Sequence, residues 1–237
     1  MRTSSWAKIA GYFILAFAFS SAGPALAEGK IGVAATVQNQ FFGNSQPLAA
    51  GSGVFANERI RTGEASAAQL QFIDQTNLSI GPKSEVVLNR FVYNSDHGKG
   101  SVVIETGKGV FRFVSGSQDP TSYQIKTPVA TIGVRGTMFT VINGNGFFAT
   151  VGTSGIHFVH INSTGVNIVV NPGWTLIIYP NGQTELFQSV DTLQTWLQHI
   201  DPVLVNEFQQ LFQNLTFLNA LGNTFTPTPP HCTGECG

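Results

Sequence analysis

Few residues of this 237-residue chain have the types and spacing that chemistry demands. His157 and His160 lie three apart in a run that reads as a strand. Side chains alternate faces along a strand, so the two histidines point to opposite sides and cannot chelate one metal together. Neither belongs to an H-E-x-x-H pattern. Gly152-Thr153-Ser154-Gly155 has the wrong spacing for a G-x-S-x-G nucleophile elbow and reads as a turn. Gly107-Lys108-Gly109 and Gly51-Ser52-Gly53 lack the remaining residues and the following helix of a phosphate loop. Asp74 and Glu85 form an acid and base pair only if tertiary structure joins them. The cysteines, Cys232 and Cys236, stand together in HCTGECG at the C-terminus. In an exported tail such a pair forms a local disulfide. The alternative, a metal held by His231, Cys232 and Cys236, falls short of the four ligands that structural zinc takes. No catalytic residue, metal or cofactor is therefore assigned, and the chain is read as non-enzymatic.

The segments that would position such residues begin with an export signal. Arg2 and Lys8 form a basic region, Ile9 to Phe19 an apolar run, and Ala25-Leu26-Ala27 a small-residue cleavage site, giving a signal peptide over 1–27. The alternative is an uncleaved anchor, but the run is shorter than the roughly 20 residues that span a bilayer. No stable transmembrane anchor is expected, and the mature chain is placed in the periplasm or secreted. Twelve Lys and Arg against thirteen Asp and Glu leave no dense basic face for displacing counterions from phosphates, which excludes nucleic acid as a partner.

Residues 28–187 read as strand after strand. Ala68, Leu70 and Phe72 alternate with Ala67, Gln69 and Gln71, the polar turn Asp74-Gln75-Thr76-Asn77 follows, and Leu78 and Ile80 resume the alternation. Val102 to Glu105, Val110 to Val114, Tyr123 to Lys126 and Met138 to Ile142 continue in this style, punctuated by glycines and Asn-Gly steps. The fold class is all-β: a sandwich, a barrel or a short solenoid. From 188 to 222 the period changes. Asp191 caps a helix carrying Leu193, Trp196, Leu197 and Ile200; Pro202 opens a second carrying Leu204, Phe208, Leu211, Phe212, Leu215 and Leu218, and Gly222 stops it. This helical hairpin either packs on the β domain or provides an interface for a partner or for a homo-oligomer. Its polar face of Gln, Asn and Glu does not suit an anionic membrane surface. Residues 223–237 form a stiff Pro-rich tail with the Cys pair.

Within the β region Leu48, Gly51 and Gly53 lead into NERIRTGEASAAQLQF (57–72), followed by LSIGPKSEVVLNRFVY (78–93), GKGVFRFVSG (107–116) and YQIKTPVATIGVRGTMFTV (123–141). From about Gly32 to Val159, in order and spacing, this resembles the FecR domain, a family of β-rich periplasmic modules. In its best-known members the module belongs to a membrane-spanning regulator that passes the state of an outer-membrane iron transporter to a sigma factor. The resemblance implies a β-sandwich or short solenoid that binds an envelope partner. The cytoplasmic domain of full-length regulators has no counterpart among these residues. Two functions follow from it: a stand-alone envelope module binding a protein or glycan, or a detached periplasmic sensing subunit of an iron-uptake type of signalling system.

Thr127, Pro128, Gly133, Arg135, Gly136 and Thr137 carry the family signature, and a structural role is expected of them. Pro128 fixes its own φ and biases Thr127 toward extended backbone. Gly133 and Gly136 permit close strand approach or φ > 0. Arg135 either donates to turn carbonyls or to a carboxylate such as Asp74 or Glu85, or else presents its charge to a partner.

Overall fold

The structure is a computed structural model that describes residues 29–94, 99–145, 147–188 and 205–222. The export signal, the first helix of the expected hairpin and the tail with Cys232 and Cys236 lie outside the described residues. Among those described, the chain forms the strands β1 (Lys30–Gln38), β2 (Phe41–Gly43), β3 (Gln46–Pro47), β4 (Gly53–Phe55), β5 (Arg59–Thr62), β6 (Ala67–Phe72), β7 (Asn77–Ile80) and β8 (Glu85–Val92). It continues through β9 (Ser101–Thr106), β10 (Gly109–Val114), β11 (Tyr123–Lys126), β12 (Ala130–Asn143), β13 (Phe148–Ile161), β14 (Asn167–Val170), β15 (Trp174–Ile178) and β16 (Thr184–Gln188), then the helix α1 (Val205–Gly222). The fold is all-β, as the strand periodicity predicts.

All sixteen strands join one sheet, which curls into a half-barrel around the long hairpin β12–β13. The first half of β12 pairs with β11, and its second half pairs with β10. The first half of β13 pairs with β15, and its second half with β14. Each long strand thus belongs to two wings. One wing runs β3-β2-β5-β8-β9-β11 into the start of β12, and the other leaves the end of β12 as β10-β7-β6-β1-β4. The β11–β9 pair is parallel, and the other pairs are antiparallel.

The wings bend apart at a corner where the register of β12 and β13 slips, between Arg135 and Phe139. Gly136 sits there at φ +56° and Gly155 at φ +64°, the left-handed region that side chains resist. A Cβ on Gly155 would lie 2.1 Å from the Gly136 carbonyl oxygen, so the two corners nest tightly. Gly152-Thr153-Ser154-Gly155, expected as a turn, is instead this kink inside β13.

The wings enclose one apolar core. Ile60, Leu88, Ile104, Ile125, Ile132 and Val159 come from one side, and Leu70, Leu78, Phe111, Phe113 and Phe139 from the other. Strand β6 departs from simple alternation, because Ala67 and Gln69 are buried together with Ala68 and Leu70. A second cluster lies on the outer side of the β10 wing. There Leu211 and Leu218 of α1, two turns apart on one helix face, cover Val110, Ile142, Ala149 and Ile177. Asn214 Nδ2 donates to the Pro82 carbonyl at 3.4 Å, so the helix packs on the β domain. Burying the two leucines contributes about 3–6 kcal/mol as an upper figure.

The turn between β6 and β7 is held by a buried polar knot. The Asp74 carboxylate accepts from the Thr76 N–H at 2.9 Å, the Thr76 hydroxyl at 2.8 Å, Gln118 Nε2 at 3.1 Å and the Tyr123 hydroxyl at 2.9 Å. Those donors satisfy a charge removed from water and tie this turn to the loop before β11. Burial in this knot pushes the Tyr123 phenol up to about 12.

Candidate binding face

The signature begins with a tight turn. The Thr127 N–H donates to the Ala130 carbonyl at 2.8 Å, and the Thr127 hydroxyl oxygen accepts from the N–H of Ala130 at 2.9 Å and of Val129 at 3.3 Å. Pro128 occupies the second position of this four-residue turn, where its fixed φ is favourable. The Asn162 N–H donates to the Val129 carbonyl at 2.9 Å, binding the turn to the end of β13. At the corner the Thr137 N–H donates to the Ser115 hydroxyl at 3.0 Å, and its own hydroxyl donates to the Ser154 carbonyl. Thr127, Pro128, Gly136 and Thr137 therefore shape the backbone.

Gly133 and Arg135 have different surroundings. Gly133 needs no positive φ, and a Cβ placed there meets nothing within 4 Å. Arg135 is exposed, and its guanidinium lies over the Phe158 ring at 5.8 Å from the centroid. Among the described residues it makes neither an ion pair nor a hydrogen bond. The carboxylates expected to hold it are engaged elsewhere: Asp74 is buried in its polar knot, and Glu85 pairs with Arg59. The reason is period two. Residues 131, 133 and 135 all point away from the core, whereas Ile132 and Val134 point into it.

Register assembles the outer face of this wing into three rows. Glu105, Lys126, Thr131, His160 and Asn167 follow one another across β9, β11, β12, β13 and β14. The next row is Val103, Gln124, Gly133, Phe158 and Val169. Arg135 and Ile156 stand in the third. Phe158 is 37% exposed although it sits between buried His157 and Val159. Gly133, the register partner of Phe158, presents no side chain, and the space above it is open. Where the first row meets the signature turn, a shallow cleft of about 320 Å³ is lined by Glu105, Lys126, Thr127, Pro128, Thr131 and Asn162. Glu105 and Lys126 are register partners, yet no ion pair joins them, so both charges face the cleft.

His157 and His160 occupy opposite faces, as strand geometry requires. His160 Nδ1 meets Asn167 Oδ1 at 3.0 Å on the surface. His157 is fully buried, stacks on Phe139 at 4.7 Å and meets the Thr150 hydroxyl through Nε2 at 2.9 Å, leaving Nδ1 without a partner. Burial pushes its pKa from the ordinary 6.5 down to about 4. No group of three or more His, Cys, Asp or Glu able to hold a metal occurs among the described residues. No helix among them is long and apolar enough to cross a membrane. The arrangement offers recognition: one aromatic ring, two cations that make no ion pair among the described residues, and a glycine with open space above it. Sequence reading alone missed Phe158, Lys126 and Val169; the available signal was an aromatic at an outward position of a strand.

The family described as FecR protein matches residues 58–155, from the start of β5 to the kink in β13. The matched stretch is shorter than the resemblance from Gly32 to Val159, leaving β1 to β4 outside. Two crystal structures from Parabacteroides distasonis ATCC 8503, at 1.65 and 2.50 Å, each provisionally described as an anti-sigma factor, are similar at 16% identity, with TM-scores of 0.45 and 0.46. Each similarity covers 59% of this chain and 64% of the other, so the chain spans less than two thirds of those structures. No curated protein matches the chain.

Proposed function

With residues 58–155 forming a FecR domain, we propose that this chain is an exported, non-enzymatic, signalling-related protein that holds a partner protein of the cell envelope against the outer face of β11–β14. The family match supports the regulatory class. The observation that carries the binding reading is the half-exposed Phe158, capped by Arg135 and facing Gly133, which no backbone requirement explains. A ring and a guanidinium held together on a rigid sheet supply apolar area and directed donors at low entropic cost, the makings of an interface hot spot.

Affinity capture from envelope extract tests this, with the mature chain immobilised as wild type, Arg135→Gln and Gly133→Ala. The expected result is one or more proteins retained by the wild type and lost from both variants, which keep the wild-type melting temperature. Identical capture by all three would remove the face from the function. Deleting the gene is expected to alter transcription of a defined set of genes; an unchanged transcriptome would leave a binding module outside signalling.

A further inference from the structure

The three rows of the outer face differ in chemistry. The first carries Lys126 with Glu105 beside it and His160, the second is apolar around Phe158 and Val169 with no side chain at Gly133, and the third carries Arg135. Lys126 and Arg135 make no ion pair among the described residues; the carboxylate in these rows, Glu105, stands beside Lys126 on β9, on the side away from β12 and Arg135. Thr131 and Arg135, the row positions on β12, are four residues apart, about 13 Å along the strand. An extended chain repeats its same-face side chains with the same spacing, so residues i, i+2 and i+4 of a facing strand meet the three rows in turn.

Resting on the partner-binding reading above, we infer that the partner contributes an extended acidic segment, with carboxylates at i and i+4 and an apolar side chain at i+2. One carboxylate meets Lys126 beside the cleft. The apolar residue sits over Gly133, in the open space next to its register partner Phe158. The other carboxylate takes the Arg135 fork, which its stacking on Phe158 holds in place for a bidentate contact. Lys126 and Arg135, at either end of the three rows, are complementary to the two carboxylates, which sets register.

The probe is a synthetic peptide, SETLTES, capped at both ends and titrated into the isotope-labelled full mature chain by NMR. Saturable shifts are expected at residues 124–135 and 156–160. The analogue SQTLTQS, and an analogue of equal charge with its glutamates three apart, should bind at least tenfold more weakly. Arg135→Gln and Lys126→Gln should each weaken SETLTES severalfold, and Gly133→Ala should block it with folding unchanged. Equal binding of the three peptides, or shifts confined to another surface, overturns the acidic segment. If no peptide saturates while partner capture still depends on Arg135 and Gly133, the acidic segment falls and the partner-binding face stands. If capture is also indifferent to both residues, the two readings fall together.

Discussion

Lowering the pH should loosen this fold through one side chain, His157. Its ring is enclosed, stacked on Phe139, and one nitrogen has no acceptor to receive a proton's new N–H. Desolvation therefore favours the neutral ring, and its pKa falls from 6.5 to about 4. The sign follows from which state binds the proton. Below 6.5 the unfolded chain takes it up and the folded one does not, so stability is complete above 6.5 and declines as pH falls toward 4. With those two values, about 2 kcal/mol is lost between pH 7 and pH 5, and about 3.4 kcal/mol once both states are protonated. For a chain of this size, 2 kcal/mol corresponds to roughly 4–8 °C in melting temperature. Thermal unfolding followed by circular dichroism at pH 7, 6 and 5 measures it, with His157→Gln as the comparison. The variant's melting temperature should start lower and change much less over this range. Glu58, whose carboxyl burial pushes upward, acts with the opposite sign at lower pH, so the difference between the two proteins isolates the histidine. Parallel pH profiles for wild type and variant would refute the reasoning.

Three other perturbations probe the frame. Gly136→Ala should cost about 1 kcal/mol for its left-handed backbone, while Gly155→Ala should abolish soluble expression, since its Cβ would strike the Gly136 carbonyl; equal melting temperatures for the two would contradict the nested corner. Tyr123→Phe removes a donor from Asp74 and an acceptor from the Gln118 N–H, for an expected loss of about 1–3 kcal/mol in urea unfolding. Leu211→Ala should cost about 2–5 kcal/mol by the same measurement if α1 is integral to the second core cluster, and almost nothing if it is not.

The strand run and the polar turn at Asp74 were legible because hydrophobic alternation and turn chemistry are local. So was the separation of His157 from His160. The kink in β13 was not, because Gly152-Thr153-Ser154-Gly155 has the composition of a turn and becomes a bend only through its nesting against Gly136. The surroundings of Arg135 are hidden for a related reason. Sequence shows a cation between glycines, but only register reveals that residue 135 faces outward beside Phe158, with Asp74 and Glu85 committed elsewhere. The signature thus divides into a shaping set, Thr127, Pro128, Gly136 and Thr137, and a surface pair, Gly133 and Arg135.

The β12–β13 hairpin also bears on how the chain reaches this state. Its partners lie close in sequence and its turn closes where the Gly144 N–H meets the Phe147 carbonyl at 2.9 Å, so it can zip early, before distant contacts are available. Once formed it offers β10 and β11 one edge, and β14 and β15 the other. Both wings then grow outward from a shared template. The hairpin would then act as a nucleus, and the two halves should regain structure in a single phase of stopped-flow refolding.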